Sequence, residues 1–399
     1  MVNTHSKSPM TLPSLEGNSH RQRLAFLDGL RGVSILLVLF HHALGPWSVM
    51  FHNPAIVSPF SDRVAFAPPI LYSYLAVQLF FFISGYVILI TLEKCKGFWE
   101  FMRRRWLRLF PAMLICSLIV YCTAGIFHER PLGTPTLASL IPGLTFIEPQ
   151  WIGDLLQRPQ PILEGSFWSL YVEMRFYVFF GIVYFLFGAR KAIGALIAFY
   201  IVGLYIRFMH SVPFLETIPA WHYVASRADV VYAKFMSYGL SDSIYYGMFA
   251  CGAVFSRYMI SRNPWLFALS FFLGLTSGLM LGCSNPGIGH VLGGMVMGTL
   301  LMCLIPMSCA IPSARKFFGN PILVFMGFVS YPLYLVHQNM MVSTMLKLRA
   351  HVSFMPPTVV AIVGMALVIT VGWVIAKFAE PAVKSAMRRI AYRRPSVSA

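Results

Sequence analysis

Apolar residues run along this chain in long blocks separated by short polar connections. A helix needs about 20 apolar residues to cross roughly 30 Å of hydrocarbon. Ten stretches approach that length, near 29–49, 70–92, 107–126, 167–188, 192–211, 240–257, 264–282, 288–309, 320–345 and 357–379. The sixth is short and opens on Ser241, Asp242 and Ser243. The pattern predicts an all-α integral membrane protein of about ten transmembrane helices around a polar cavity.

The connections predict an orientation. Lys7, Arg21 and Arg23 precede the first block; Lys94, Lys96 and Arg103 to Arg105 follow the second; Arg190 and Lys191 follow the fourth. Arg257 with Arg262, Arg315 with Lys316, and the run Lys384, Arg388, Arg389, Arg393 and Arg394 mark later even-numbered ends. Basic connections stay on the cytoplasmic side, so both termini are expected there. Lys347 and Arg349 fall on the other side and break the rule. The longest outer connections, about 127–166 and 212–239, hold Trp151, Asp154, Trp221 and His222, and loops of that size either bind an acceptor or simply pack. The division expected is a polar N-terminal segment over 1–24, a membrane domain over 25–382 and a basic tail over 383–399. No transporter-like internal repeat is visible, and the chain stops soon after the tenth block, which predicts no appended soluble domain.

Composition narrows the class. The chain is 57% hydrophobic and 11% charged, against about a quarter charged in soluble domains, so lipid is its main solvent. A net charge of +17 raises nucleic acid as a partner, but the cations sit in clusters between apolar runs, as topology signals do. No nucleic-acid binding is expected. The seven cysteines lack CxxC or Cys/His spacing, so neither a disulfide framework nor a metal site is indicated. The polar start has no signal-peptide core, and the first block should remain as a membrane helix.

Polar side chains inside the blocks then become the candidates for chemistry, because hydrocarbon tolerates them poorly. In the first block, Arg31 and His42 are eleven residues apart. At 100° per residue this leaves them within about 20° of one face, ~16 Å apart along the axis. Arg31 near a helix end also reads as a snorkelling arginine. His41 points about 80° away and reads as a packing hydrogen bond. Asp28 reads first as the helix N-cap and second as an i+3 partner of Arg31.

Arg103, Arg104, Arg105 and Arg108 cluster at the mouth of the third block. Each alone is a topology signal; together they suit a phosphate-rich ligand, since guanidinium groups grip phosphates bidentately. The fourth block opens with Trp168, and Ser169, Glu173 and Tyr177 follow at i, i+4, i+8 as one polar stripe. Trp168 could equally belong to the interfacial belt. In the ninth block Ser330, Tyr334 and His337 share a face beside Pro332, which should kink the helix. Ser84 and Gly85 in the second read as close helix packing.

These motifs resemble the membrane-bound acyltransferase 3 proteins, which O-acylate bacterial surface carbohydrates. The resemblance runs from Leu27 to Pro381. It rests on Leu27-Asp28-Gly29-Leu30-Arg31-Gly32 with His42, Phe80-Phe81 with Ser84-Gly85, Arg105-x-x-Arg108-x-x-Pro111, Trp168-Ser169-Leu170 with Glu173, Phe176 and Tyr177, and Ser330-Tyr331 with Tyr334 and His337. The family spacing of ten residues between arginine and histidine selects His42. The resemblance implies acyl-CoA, usually acetyl-CoA, as a cytoplasmic co-substrate with no bound cofactor. It also implies a carbohydrate hydroxyl as outer acceptor and a multi-pass place in the bacterial inner membrane. Some relatives carry an outer esterase-like domain; without one, the membrane domain would complete the transfer itself.

In mechanistic terms, His42 is expected to act as general base on the acceptor hydroxyl. Arg31 would hold the donor or stabilise developing charge, the Arg104, Arg105 and Arg108 group would bind CoA phosphates, and Glu173 would orient a polar partner. Trp168, Ser169, Tyr177, Ser330, Tyr334 and His337 are expected around substrate. An acyl-histidine intermediate remains an alternative route. The main rival is a transporter or flippase of a carbohydrate or lipid, and a second is a scaffold without chemistry.

Overall fold

A computed structural model describes residues 13–158, 160–209, 240–283 and 288–391, and among these every regular element is helical. The long helices are α1 (Pro13–Leu44), α2 (Val77–Leu92), α3 (Phe98–Cys122), α4 (Trp168–Met209), α5 (Tyr246–Ser261), α6 (Pro264–Gly282), α7 (Ile288–Thr299), α8 (Pro321–His351), α9 (Pro357–Val374) and α10 (Glu380–Ala391). Eight helical stretches of the described residues are long and apolar enough to cross a membrane.

The difference from ten lies in two places. Gly165–Tyr205 counts as one stretch of 41 residues, about 60 Å if straight, and it contains both the fourth and the fifth expected spans. Gly188 breaks it with φ 82° and ψ 171°, a backbone conformation that only glycine reaches without strain. The sixth expected span is α5, whose 16 residues fall short by themselves and are entered directly from the 3-10 turn Leu240–Tyr245.

Two further expectations change. Helix α1 begins at Pro13, well before Asp28, so Asp28 cannot be its N-cap; its carboxylate instead pairs with the Arg31 guanidinium at 2.6 Å. The first span also stops at Leu44, where Gly45-Pro46 ends the helix and Trp47–Met50 forms a separate turn. The Trp47 indole donates to the freed carbonyl of His42 at 2.7 Å. The expected Trp221 and His222 lie outside the described residues.

Helices α1 and α8 form the most extensive helix pair among the described residues. Glycine permits it: a Cβ on Gly32 would sit 2.1 Å from the Leu323 carbonyl oxygen and one on Gly327 1.9 Å from that of Asp28, while one on Gly29 would sit 1.7 Å from the Phe318 oxygen at the end of the short helix Pro312–Phe318 that precedes α8. Gly32 beside Arg31, and Gly327 on the facing helix, are thus contact points that bring the polar faces of α1 and α8 together. Gly85 does the same for α2 and α5, where a Cβ would lie 2.0 Å from the Phe249 oxygen. Helix α8 runs unbroken through Pro332.

Lys347 and Arg349, which defied the charge pattern, donate to main-chain oxygens of Ile126 at 3.0 Å and Pro59 at 3.3 Å. They fasten connecting loops to the end of α8.

Candidate active site

Helices α1 and α8 border two cavities. The first, about 420 Å³, lies at the Arg31 end, where Arg31, Arg108 and Lys384 face Asp28, Glu173 and Glu380 across it. Its remaining wall is largely apolar, from Phe80, Phe81, Ile83, Leu109 and Phe328. The second, about 340 Å³, lies at the His42 end and is lined by His41, His42, His52, Tyr74, Trp168 and Gln338 among others. Among the described residues Tyr334 alone borders both.

The charges of the first cavity are partly matched. Asp28 holds Arg31, and Glu380 holds Lys384 one turn away. Arg108 makes no hydrogen bond or ion pair with any described residue, and its half-buried guanidinium is free to meet an anion. Glu173 receives the hydroxyls of Ser84 and Tyr177 on the same oxygen, Oε1. Glu173 lines the first cavity, and its Oε2 accepts no hydrogen bond from a described residue. The spacing that placed Glu173 and Tyr177 one turn apart on a stripe is therefore used, but Tyr177 itself is fully buried behind the carboxylate.

The arginine cluster divides. Only Arg108 reaches the cavity. Arg105 is 3% exposed, lies over the rings of Tyr177 at 5.0 Å and Phe101 at 5.6 Å, and donates to Thr91 Oγ1 at 2.5 Å. Arg104 is exposed and bonds to Glu100 at 2.6 Å. Helix periodicity alone does not explain the split, since Arg104 and Arg108 stand one turn apart on one side of α3; the neighbours decide it, Glu100 taking Arg104 and the rings of Tyr177 and Phe101 taking Arg105.

At the second cavity, His42 and His41 both reach the lining. His41 also makes the packing bond expected of it, Nδ1 to the Ile70 carbonyl at 3.0 Å. His42 Nδ1 lies 2.9 Å from the Val38 carbonyl, one turn back on α1. His337 is fully buried and meets His42 rather than either cavity. Trp168 stands on the second cavity's wall, 5.2 Å from the Tyr245 ring.

The partition between the cavities is Tyr334. Its hydroxyl bonds to Ser169 Oγ at 2.9 Å, and its ring lies against Phe80 and His337, with centroids 5.8 Å and 5.5 Å away. Ser330 borders the first cavity and bonds to the Gly327 carbonyl at 2.7 Å.

Sequence reasoning missed Lys384, Glu380, Ser84, Tyr74 and Gln338 as lining residues. Lys384 was absorbed by its value as a topology signal, and Ser84 by its packing glycine neighbour. Gln338 lies one turn after Tyr334 on the recognised stripe of α8, whose reading stopped at His337. A further buried group also escaped notice. Glu164, 1% exposed, accepts from the Asn339 main-chain N–H at 3.2 Å. The preceding carbonyl of Leu163 takes Arg130 Nη2 at 2.5 Å and Asn339 Nδ2 at 3.4 Å. These bonds pin the turn that carries Gly165, Ser166 and Trp168 into the second cavity.

A bundle of apolar helices holding two cavities, one where three cations face three carboxylates and one lined by histidine, defines a multi-pass membrane protein with ionisable groups held inside it. The chain matches the family described as an acyltransferase domain, acyltransferase 3, over residues 24–377, and it belongs to that family. Proteins named "Putative O-acetyltransferase" from Staphylococcus aureus strains COL, MSSA476 and N315 are each 24% identical to it over 333 residues. The match covers 78% of this chain and 49% of theirs, so the chain spans about half the length of these relatives. No solved structure matches it significantly.

Proposed function

We propose that the protein transfers an acyl group, acetyl in the first instance, from cytoplasmic acyl-CoA to a carbohydrate hydroxyl on the outer side of a bacterial inner membrane. The observation that carries this reading is the pair of cavities meeting at Tyr334, one offering an unpaired guanidinium and the other an imidazole. The charge alternation supports placing the Arg31 end and both termini in the cytoplasm. The division into a polar segment over 1–24, a membrane domain over 25–382 and a basic tail over 383–399 belongs to the same reading.

Donor phosphates would meet Arg108 and Lys384, with Arg31 beside the pantetheine arm. The thioester would approach Tyr334 from the first cavity, and the acceptor hydroxyl would enter the second, against Trp168. His42 Nε2 removes the hydroxyl proton as the oxygen attacks the thioester carbonyl. The carbon–sulfur bond breaks, the thiolate takes the proton from His42, and the products are the ester and CoA thiol. Glu173, already carrying two hydroxyl bonds, orients polar groups at the base of the first cavity.

The test is purified protein in lipid nanodiscs with radiolabelled acetyl-CoA and surface glycans extracted from a strain deleted for this protein. Alkali-labile label should appear on carbohydrate and vanish with His42→Ala. Glycan or lipid movement across vesicles without any consumption of acetyl-CoA would establish a transporter instead.

A further inference from the structure

His337 sits on α8 with no exposed surface. Its Nε2 lies 3.3 Å from His42 Nδ1 on α1, and the two rings meet edge to face with centroids 4.7 Å apart. The backbone decides where the protons are. A carbonyl oxygen only accepts, so His42 Nδ1, 2.9 Å from the Val38 oxygen, carries a hydrogen. So does His337 Nδ1, 2.8 Å from the Tyr334 oxygen. In neutral rings His337 Nε2 is then a bare acceptor facing the His42 Nδ1–H, which it shares with Val38. His42 Nε2 has no hydrogen-bond partner among the described residues, and His42 borders the second cavity.

We propose that His337 is the positioning residue of His42: it accepts the Nδ1–H, holds the ring in one tautomer and keeps Nε2 as the basic nitrogen presented to the acceptor. This rests on the reading of His42 as general base. When Nε2 takes the acceptor proton, His42 becomes a cation and its Nδ1–H bond to His337 strengthens, as charge-assisted bonds do. His337 keeps its own proton throughout. The proton from the acceptor passes through His42 Nε2 alone and leaves with the CoA thiol, so the step balances. Packing does not account for the arrangement, because a phenyl ring would fill the space and leave Nδ1–H with the Val38 bond only. The role also differs from the substrate contact expected of His337 on the shared face of Ser330 and Tyr334.

The experiment measures His42-dependent release of CoA thiol from acetyl-CoA in nanodiscs, with water as the acceptor probe, in the parent, His42→Ala, His337→Phe and His337→Gln. General bases contribute about 10²–10⁴-fold, so His337→Phe should lower kcat about 100-fold with the acetyl-CoA KM within about threefold. His337→Gln, whose amide oxygen can take the place of Nε2, should stay within about tenfold of the parent. Parent-like kcat in His337→Phe overturns the proposal. So does a rise in KM with kcat retained, which would return His337 to substrate contact. Should His337→Phe fail to insert, the glutamine variant and the 15N spectrum of ring-labelled parent protein decide. A His42 signal of the Nδ1–H tautomer supports the proposal, and an Nε2–H tautomer overturns it. If His42→Ala releases CoA as fast as the parent, it is the general-base reading that falls.

Discussion

Arg31 and His42 stand on one helix, about 20° apart in azimuth at eleven residues' spacing, and yet open into different cavities. Their axial separation of ~16 Å is the reason: Arg31 is level with Glu173 and Arg108, whereas His42 lies beyond Tyr334. The arginine therefore cannot touch the group that His42 activates. In the reaction proposed it would act on the donor, whose flexible arm would cover the distance.

His42→Ala is expected to abolish acyl transfer, with His41→Ala retaining most of it. Both rings border the second cavity, but only His42 is tied to α8 through His337, and His41 is held by the Ile70 carbonyl. Initial rates at matched protein levels settle it. Equal loss in the two variants would count against His42 as the base.

Much of this was legible in the chain. Blocks of apolar residues marked the helices, and helical spacing placed Glu173 with Tyr177 at i, i+4 and Tyr334 with His337 at i, i+3. Sequence spacing within one helix could not say which helices touch. The meeting of His42 with His337, 295 positions apart, depends on Gly32 and Gly327 allowing α1 and α8 to contact through backbone. Nor could a cluster of arginines show which of its members faces a cavity, since that requires the neighbours of α3. Asp28 was misread because the polar segment before it continues the helix, contrary to the expected start.

The cluster's division predicts three different phenotypes. Arg108→Gln should raise the acyl-CoA KM about 10- to 100-fold with kcat little changed, because one charge-assisted contact is worth about 1.5–3 kcal/mol. Arg105→Gln removes a guanidinium packed on Tyr177, so it should lower stability or kcat and leave KM near the parent value. Arg104→Gln, at an exposed position paired with Glu100, should stay within about twofold of the parent. Steady-state kinetics with varied donor distinguish them, and an Arg108→Gln enzyme with parental KM would remove phosphate docking from that residue.

Glu164 predicts a pH dependence of stability. Burial pushes its carboxyl up from 4.5 to about 7, against the opposing pull of the Asn339 bonds and the Arg130 charge. The folded protein thus holds this proton more tightly than the unfolded chain, so the associated stability is complete below 4.5 and is lost as the pH rises through 7. The parent's melting temperature should fall between pH 5 and pH 8, and Glu164→Gln should flatten that fall and exceed the parent at pH 8. Tryptophan fluorescence melts in detergent provide the measurement. Parallel curves for the two proteins would show that Glu164 does not titrate in this range.

The last prediction concerns Tyr334. Its main chain is fixed, since its carbonyl receives Ser166 Oγ at 2.9 Å and faces His337 Nδ1 at 2.8 Å. The side chain is the movable part, held by one hydroxyl bond to Ser169, worth about 1 kcal/mol. In the reaction proposed a donor arm would displace the ring from its packing against Phe80 and His337 to reach His42, and the ring would otherwise stand between the two cavities. Tyr334→Ala should therefore join the cavities and raise the ratio of acetate to carbohydrate ester formed from acetyl-CoA by about tenfold, as loss of water exclusion favours hydrolysis. Tyr334→Phe and Ser169→Ala break the hydroxyl bond but keep the ring, so their ratios should remain within about threefold of the parent, consistent with the loss of one weak bond. Product counting of labelled acetate and ester separates these outcomes without depending on total rate. A Tyr334→Ala protein that is slow but keeps the parental ratio would assign the tyrosine to the chemistry itself, and the partition would have to lie elsewhere along α8.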